Sequence, residues 1–458
     1  MKKNIFIIFV LLVILPLIWF LTNQFERKPP GITVDFPSIY LSKSYEISLM
    51  ASDKGTGLRE VRVSIVQQEK EKVLLKKEYP CIGYKGFFMG SKIFNDSFKI
   101  PVESRKYGMV DGEALIKIYV SDYSWKEWNS GNKVYQEKKV VIDSKPPGIE
   151  ILSRRHNIAR GGAGLVIYRL FEDGIKSGVK VEDNFFPGYS GMFEDKNIFA
   201  SFFALSYKQG PGVKIAVTAS DPTGNTATRG FYYYIRDTKF KTDLLKITDK
   251  FLLRKMPEFD LGAEEAAFDS ADNPLLKKFI YINRVLRKKN IKDLLKPVVN
   301  TAHKVLWEGR FSRLPGSANR ASFADHRIYK YNGKEIDRQI HMGIDLASVY
   351  RAPVPVANNG KVLSTDNIGI FGNSVLIDHG FGLCTVYSHL TTVLVQKGDM
   401  VKKGDIIGKS GATGLAGGDH LHFGVSVNNV FVNPLEWWDK TWIKNNILSK
   451  IQNVEKLQ

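Results

Sequence analysis

Cysteine is scarce in this chain of 458 residues, which contains only Cys81 and Cys384. Two cysteines so far apart in sequence cannot form a disulfide framework or a Cys-x-x-Cys metal site. The helical metal-binding pattern His-Glu-x-x-His is also absent. These absences exclude a disulfide-stapled fold and two common kinds of metal site.

Acidic residues are outnumbered by basic ones, since 66 Lys and Arg against 47 Asp and Glu give a formal net charge of +19. A nucleic-acid-binding protein usually concentrates such charge in a recognisable module, and the sequence contains none. We therefore predict no nucleic-acid partner and interpret the charge as a basic surface suited to anionic membranes or anionic cell-wall polymers. The hydrophobic content of 43% is that of a folded protein with several domains.

A long apolar run occupies residues 5–21. Its length is close to the minimum for a membrane-spanning helix, and Lys2 and Lys3 before it predict a cytoplasmic N-terminus. A cleaved signal peptide is the alternative, but the residues after the run offer no cleavage site of small residues. We favour an uncleaved, single-pass anchor in the inner or cytoplasmic membrane. Both interpretations place the bulk of the chain outside the cytoplasm, in the periplasm or on the cell-wall side.

An internal repeat follows, because Lys28-Pro-Pro-Gly-Ile32 recurs as Lys145-Pro-Pro-Gly-Ile149. Each copy opens a region rich in alternating and β-branched residues, such as Glu60-Val-Arg-Val-Ser-Ile-Val66. Short strands separated by turns at this spacing predict two β-sandwich modules, residues 28–144 and 145–238. The modules resemble bacterial immunoglobulin-like domains and contain no catalytic constellation. A role as spacer or binding arm is therefore expected for them.

The pattern becomes helical at residues 239–301, where the segments 244–253 and 275–286 carry apolar residues at three- and four-residue spacing. We interpret this region as a helical connector. Short β-strands separated by turn signals return at residues 302–440. The chain ends in a tail, residues 441–458, with a weak helical pattern.

Histidine is concentrated near the C-terminus, where five of the eight histidines fall between residues 339 and 425. Four of them stand in short patterns that suit a metal site, namely His341-Met-Gly-Ile-Asp345, Tyr387-Ser-His389 and His420-Leu-His422. Residues two apart in a strand project to the same face, so His420 and His422 point together. Two imidazoles and a carboxylate around one cation, with a coordination position left open, form a catalytic zinc site.

Five motifs occur in one order along this part of the chain. They are His341-x-x-x-Asp345, Gly372-Asn-Ser-Val-Leu-Ile-Asp-His-Gly380, Tyr387-Ser-His389-Leu, Gly398-Asp-x-Val-x-x-Gly-Asp405-x-Ile-Gly408 and His420-Leu-His422-Phe. Together they closely resemble the lysostaphin/LytM-type zinc metallopeptidases, which cut peptide cross-links or stems in bacterial peptidoglycan. The resemblance covers the C-terminal domain and implies an antiparallel β fold there.

The resemblance implies that His341, Asp345 and His422 bind one zinc ion per chain. It also implies that His389 and His420 act in the catalytic step, beside the metal and not on it. This division is chemically sensible, because three ligands including one carboxylate leave the ion a net positive charge and a position for water, whose pKa zinc lowers to about 7. Histidine titrates near neutral pH and is therefore suited to moving the protons.

Other polar residues in the motifs have less specific explanations. His379 follows Asp378 at a glycine turn, and we interpret it as structural. Asn373 and Tyr387 either orient substrate or cap strand ends, and the sequence does not separate the two. The glycine-rich run at residues 411–418 is interpreted as a mobile wall of the cleft.

The sequence thus predicts a mainly β, multidomain protein with an N-terminal transmembrane helix in residues 1–27, two immunoglobulin-like β-sandwiches, a helical connector and a C-terminal antiparallel β metallopeptidase domain. Its predicted function is zinc-dependent hydrolysis of peptide bonds in bacterial peptidoglycan, with peptidoglycan, the membrane and envelope proteins as partners. The alternative is a non-catalytic envelope protein that binds cell wall or activates amidases. Retention of all five site residues favours the enzyme.

Overall fold

The computed structural model describes residues 2–41, 45–82, 90–103, 106–126, 130–265, 268 and 272–457. In this part of the chain β-strands predominate over helices, which confirms the mainly β fold class. The chain divides into two compact units, one formed by Met1–Pro146 with Ser220–Thr226 and the other by Pro147–Ala219 with Ala227–Gln458. The domain boundaries given by the sequence stay predictions.

A helix, α1, spans Lys2–Gln24 and includes the apolar run. Within the described residues, no helix combines the length and apolar character needed to cross a membrane. The predicted transmembrane anchor is therefore not supported by the structure.

The first unit contains a β-sandwich. Its described strands are β1 (Gly31–Asp35), β2 (Tyr40–Leu41), β3 (Tyr45–Ser52), β4 (Leu58–Gln67), β5 (Lys70–Glu78), β6 (Asn95–Val102), β7 (Gly112–Asp122) and β8 (Lys133–Ile142). One sheet has the order β1-β3-β6 and the other β2-β8-β7-β4-β5. Buried and exposed residues alternate along most of β3, and Leu49 of one sheet shares a core with Val63 and Ile118 of the other. Each sheet thus turns one face inward.

The repeat seen in the sequence has a structural counterpart in hydrogen bonds of the first unit. The side-chain amide of Asn132 donates to the carbonyl oxygen of Glu26 at 3.0 Å. The side-chain amide of Asn225 donates to the carbonyl oxygen of Asp143 at 2.9 Å. Glu26 and Asp143 each stand two residues before a copy of Lys-Pro-Pro-Gly-Ile. An asparagine amide therefore ties the segment that carries each copy to a later turn.

The second unit begins with another group of short strands. They are β9 (Ile149–Ile151), β10 (His156–Ala159), β11 (Ala163–Leu170), β12 (Lys176–Val181), β13 (Asn184–Pro187), β14 (Ile198–Ala204), β15 (Ile215–Ser220), β16 (Thr226–Gly230) and β17 (Tyr233–Arg236). The sheets have the orders β14-β11-β9 and β13-β12-β15-β16, and β10 pairs in parallel with β17. This region is β-structure, as the alternating pattern of the sequence predicted.

The region predicted as a helical connector begins with a strand. β18 (Thr242–Ile247) pairs in parallel with β20 (His326–Tyr331). A short apolar run does not separate strand from helix by its periodicity, and along β18 the more buried residues alternate with exposed ones. Helix starts only after Thr248, whose hydroxyl oxygen accepts a hydrogen bond from the amide of Phe251. The prediction of helix was therefore wrong at residues 244–247.

Helices occupy the rest of this region. They are α2 (Asp249–Lys255), α3 (Pro274–Tyr281) and α4 (Arg287–Leu295), with a π-helical turn at Ile282–Leu286 joining α3 to α4. Asn273 caps α3 by accepting a hydrogen bond from the amide of Leu276, as expected for an asparagine at a helix N-terminus.

The C-terminal region is dominated by one sheet of antiparallel pairs, which confirms the predicted antiparallel β structure. Its order is β19-β22-β30-β26-β25-β24-β28, with β31 beside β30. The main strands are β19 (Ala318–Ala321), β22 (Ile344–Ala347), β24 (Gly360–Asn367), β25 (Asn373–Asp378), β26 (Leu383–Leu390), β28 (Met400–Val401), β30 (Leu421–Val427) and β31 (Val430–Val432). Every residue of β26 and β30 is buried.

Smaller elements surround this sheet. They are β21 (Lys334–Ile340), which pairs with β20; β23 (Pro353–Pro355), β27 (Thr392–Val393) and β29 (Ile406–Lys409), which form a second sheet; and the helices α5 (Pro434–Trp438), α6 (Lys440–Ile443) and α7 (Ser449–Glu455). Ile443 and Val454 of the tail are buried in the core of the second unit.

His379 is a structural residue of this core, as the sequence suggested. Its Nδ1 lies 2.7 Å from the carbonyl oxygen of Asn359 and its Nε2 lies 2.8 Å from the hydroxyl of Thr385. Burial lowers the pKa of His379 to about 4. The unfolded chain, with an ordinary histidine pKa near 6.5, therefore binds this proton more readily, and the free energy of unfolding falls as the pH drops from 6.5 toward 4.

We expect His379→Gln, which keeps a donor and an acceptor, to lessen this acid sensitivity. Between pH 7 and pH 5 the unsubstituted chain should lose about 2 kcal/mol more unfolding free energy than the variant. Urea titrations followed by tryptophan fluorescence at both pH values measure the difference. Equal losses in the two proteins would contradict a neutral, buried His379.

Candidate active site

Sheet register brings two distant parts of the sequence together. β22 pairs with β30 so that Asp345 lies directly opposite His422. β26, on the other side of β30, sets Ser388 opposite His422. His341 lies just after β21, four residues before Asp345. The site is therefore positioned by paired strands in the interior of the sheet, where backbone motion is restricted.

The three predicted metal ligands meet in space. Asp345 Oδ1 lies 2.9 Å from His341 Nε2 and 2.9 Å from His422 Nδ1, and the two nitrogen atoms are 3.0 Å apart. All three side chains are buried. Each offers a ligand atom within 4.8 Å of the other two. The structure thus brings together the three residues that the family resemblance implied as ligands.

This donor set fits a zinc ion, which binds imidazole nitrogen and carboxylate oxygen and keeps an open position when three protein ligands hold it. His341 Nδ1 lies 2.9 Å from the carbonyl oxygen of Ser322. A carbonyl only accepts, so Nδ1 carries the proton and Nε2 presents its lone pair toward Asp345 and His422. Such an outer hydrogen bond is the usual way in which proteins orient a metal-binding histidine.

Arg327 on β20 is a site residue that the motifs did not reveal. Its Nη2 donates to Asp345 Oδ2 at 2.7 Å, which leaves Oδ1 facing the imidazoles. Burial by itself raises the pKa of Asp345, but the imidazoles of His341, His420 and His422 beside it hold that pKa well below the usual range. Asp345 is therefore an anion in spite of its burial. Arg327 escaped the sequence analysis because it lies outside every motif and reaches the site through strand pairing.

The two predicted catalytic histidines lie beside the cluster, with ring centroids 4.8 Å apart. His389 Nδ1 lies 2.8 Å from the carbonyl oxygen of Thr413, and His420 Nδ1 lies 2.8 Å from that of Gly418. Each ring thus keeps Nε2 for the cleft, and His420 Nε2 is 3.5 Å from Asp345 Oδ1. His389 has a positive φ of 64°, a conformation that costs about 1–3 kcal/mol and recurs at functional positions.

The surroundings of these two histidines shift their pKa values in opposite directions. Burial, together with the nearby His420 and His422, lowers the pKa of His389 well below its usual value. Burial also disfavours protonation of His420, but the hydrogen bond to Asp345 and the charge of that carboxylate outweigh it and raise its pKa. Neighbouring groups with separated pKa values are suited to acid and base roles.

The side chains open into a cavity of about 300 Å³. Part of its wall comes from the helical region, through Phe251 of α2, Phe279 of α3 and Ile291 of α4. Leu415 of the glycine-rich run lines another part. The region predicted as a connector therefore also shapes the cleft.

The glycine-rich run 411–418, predicted as a mobile wall, is tied to α2 at two points. Arg254 Nη2 donates to the carbonyl oxygen of Gly417 at 2.9 Å. Lys255 Nζ donates to the carbonyl oxygen of Ala412 at 2.6 Å. Because Lys255 is buried, its bond is shielded from water and holds the run more firmly than an exposed bond would.

The remaining polar residues of the motifs have structural surroundings. Tyr387 is buried in β26, and its hydroxyl accepts a hydrogen bond from the amide of Ala357 at 2.8 Å. Asn373 Nδ2 donates to the carbonyl oxygen of Leu390 at 3.1 Å at the start of β25. For Tyr387 and Asn373 the sequence left open substrate orientation or a structural role at strand ends. These contacts support the structural role.

Comparison with known proteins agrees with the geometry. Residues 339–434 match Peptidase family M23. The peptidoglycan DD-endopeptidase ShyA of Vibrio cholerae is 41% identical over 96 residues, 21% of this chain and 22% of the relative. The DD-carboxypeptidase/endopeptidase Mpg of Neisseria meningitidis is 36% identical over 97 residues, again 21% and 22%. The chain thus spans about a fifth of the length of these curated relatives.

Among solved structures, the chain is similar in part to the catalytic domain of the antimicrobial peptidase lysostaphin from Staphylococcus simulans. It is 28% identical, with a TM-score of 0.25, and the match covers 29% of this chain and 98% of that domain.

We expect the chelator-treated chain to take up one zinc ion, with the cluster as its site. His422→Ala removes a ligand and should weaken binding by more than the roughly 10- to 100-fold loss typical of an outer partner. His389→Ala should still bind one zinc ion, because His389 lies beside the cluster. Competition titration and metal analysis by mass spectrometry measure both, with His379→Gln as the buried-histidine control. Equal loss of zinc in the two alanine variants would refute the division of roles.

We expect Arg254→Ala combined with Lys255→Met to release the glycine-rich run. Loss of the two charged donors, each worth about 1.5 kcal/mol or more, should speed amide hydrogen exchange at residues 411–418 by about tenfold or more. Lys250→Ala, an exposed change on the same helix, is the matched control. Unchanged exchange in the double variant would show that the run is held by other contacts.

Proposed function

We propose that this chain, whose residues 339–434 form a Peptidase family M23 domain, is a zinc-dependent endopeptidase that hydrolyses peptide bonds in bacterial peptidoglycan. The observation that carries the proposal is the convergence of His341, Asp345 and His422, with His389 and His420 beside them, in one cavity. The names of the relatives support peptidoglycan as the substrate class.

His341, Asp345 and His422 would hold the metal, and a bound zinc ion would supply an acidified water and polarise the scissile carbonyl. Arg327 keeps Asp345 oriented and ionised through its bond to Oδ2. Ser322 keeps His341 in the tautomer whose Nε2 is free to bind. These outer contacts orient two of the three donors, His341 and Asp345, before any ion arrives, which lowers the reorganisation that binding requires.

His389 and His420 would move the protons of hydrolysis. The lowered pKa of His389 keeps its imidazole neutral, and its Nε2 would take the proton of the attacking water as general base. The raised pKa of His420 favours its protonated form, and its Nε2 would give a proton to the departing amine as general acid. The new carboxyl group would give its proton to the amine, so the products are a carboxylate and an ammonium ion. Proton exchange with water would return His389 to its neutral form and His420 to its protonated form.

We place the activity outside the cytoplasm, where peptidoglycan lies. The apolar run of residues 5–21 would serve for export, and the net charge of +19 suits contact with anionic envelope polymers. The alternative function, a non-catalytic protein that binds cell wall or activates amidases, does not require five such residues in one cavity. Their arrangement therefore favours the enzyme.

We expect the full chain, loaded with zinc, to cut purified peptidoglycan and create new amine and carboxyl ends that mass spectrometry detects. Zinc removal or His422→Ala should abolish the new ends. His389→Ala should slow cleavage by about 10²- to 10⁴-fold, the range of general acid–base catalysis.

His379→Gln serves as the matched control, because it alters a buried histidine outside the cavity and should keep full cleavage. If a folded, zinc-loaded chain binds the cell wall but leaves the muropeptides unchanged, the endopeptidase function is rejected. That result would support the non-catalytic wall-binding protein.

A further inference from the structure

Three carboxylates come together in the first unit, far in sequence from the histidine cluster. Glu26 precedes β1, Asp53 follows β3 and Asp122 ends β7. An oxygen atom from each lies within 4.8 Å of one from each of the others. Asp53 and Asp122 are 5% and 0% exposed, and Glu26 is half-buried. Three formal negative charges are thus held close together with little access to water.

Backbone amides fix the direction of each carboxylate. The amide of Gly57 donates to Asp53 Oδ2 at 2.6 Å, and that of Asn132 donates to Asp122 Oδ1 at 2.7 Å. A third backbone amide donates to Glu26 Oε2 at 3.1 Å. None of the ion pairs in the described part of this unit includes any of the three. Within those residues, backbone amides orient the carboxylates and no basic side chain forms an ion pair with them.

Buried oxygen atoms next to the carboxylates are left without partners. Asn132 Oδ1 and Thr56 Oγ1 have no hydrogen bond among the described residues, although these residues are only 3% and 4% exposed. Asn132 Nδ2 donates to Asp122 Oδ2 at 2.9 Å and the amide of Thr56 donates to Glu26 Oε2, so both residues contact the cluster. Gln24 Oε1, two residues before Glu26, is a third such atom. A buried polar atom without a hydrogen-bond partner destabilises the folded state.

We propose that Glu26, Asp53 and Asp122 bind a calcium ion, with Asn132 Oδ1 and Thr56 Oγ1 as further oxygen donors. Calcium takes six to eight oxygen ligands in flexible geometry, and this site offers carboxylate, amide and hydroxyl oxygen. The donor set contains no imidazole or thiolate, which separates it chemically from the histidine cluster.

Burial and the neighbouring carboxylates together disfavour the charged forms of Glu26 and Asp122, which raises the pKa of each. Burial raises the pKa of Glu26, and the neighbouring Asp53 raises it further. Burial also raises the pKa of Asp122. A divalent cation relieves this repulsion and joins the segment before β1 to the loop after β3 and the end of β7. The ion therefore fastens the entry segment to the sandwich and stabilises the folded unit.

Terbium luminescence tests the proposal on the full chain, because Tb³⁺ replaces Ca²⁺ at oxygen sites and is excited through a nearby tryptophan. The amide of Trp125 lies 2.7 Å from the carbonyl oxygen of Gln24, close to the cluster. We expect a saturable signal of one Tb³⁺ per chain that Ca²⁺ displaces. Glu26→Gln and Asp122→Asn should weaken Ca²⁺ binding at least tenfold, and Ca²⁺ should raise the thermal midpoint of the unsubstituted chain but not of these variants.

Glu46→Gln is the matched control, because Glu46 is an exposed carboxylate of β3 whose ion pair with Lys99 is weak at 3.9 Å. The Glu46→Gln variant should bind Ca²⁺ as tightly as the unsubstituted chain. His422→Ala should leave the signal intact. Glu26→Gln keeps an acceptor for its backbone amide, so it tests the site even where Asp122→Asn fails to fold. Absence of a saturable signal, equal affinity in Glu26→Gln and the unsubstituted chain, or loss of the signal in His422→Ala would each overturn the proposal.

Discussion

The pairing of β22 with β30 is the constraint on which the catalytic region depends. It sets Asp345 opposite His422, and the loop before β22 adds His341 four residues earlier. A slip of one residue would turn His422 to the other face of the sheet. Burial of every residue in β26 and β30 opposes such a slip. The same packing that stabilises the sheet therefore holds the three donors in contact.

The register of β22 and β30 places the carboxylate of Asp345 in the protein interior, where burial of a charge is electrostatically unfavourable. An unpaired ion in the interior costs several kcal/mol, and Asp345 meets that cost through Arg327 on one oxygen and imidazoles on the other. One carboxylate oxygen of Asp345, Oδ2, binds Arg327, and the other, Oδ1, faces the imidazoles of His341 and His422. This arrangement leaves the negative charge of Oδ1 facing His341 Nε2 and His422 Nδ1, and a divalent cation complements that charge.

Much of the site could be predicted from the sequence, for a physical reason. Spacing of two and four residues indicated that His420 shares a face with His422, and His341 with Asp345. The grouping of His341, Asp345 and His422 as one ligand set came from the resemblance of the ordered motifs to a known family of metallopeptidases. Arg327 could not be added to them, because its contact with Asp345 depends on the pairing of β20 with neighbouring strands. Leu244–Ile247 was misassigned since a short apolar run fits helix and strand alike. The three carboxylates of the first unit lie too far apart in sequence to be linked without the fold.

X-ray absorption at the zinc edge of the zinc-loaded full chain tests the central claim most directly. The account predicts two imidazole nitrogen ligands and carboxylate or water oxygen at about 2.0–2.2 Å, with no sulfur at about 2.3 Å. His422→Ala, loaded at high zinc concentration, should show one imidazole fewer. A sulfur shell, or a first shell of oxygen alone in the unsubstituted chain, would contradict the assignment of His341, Asp345 and His422 as the metal site.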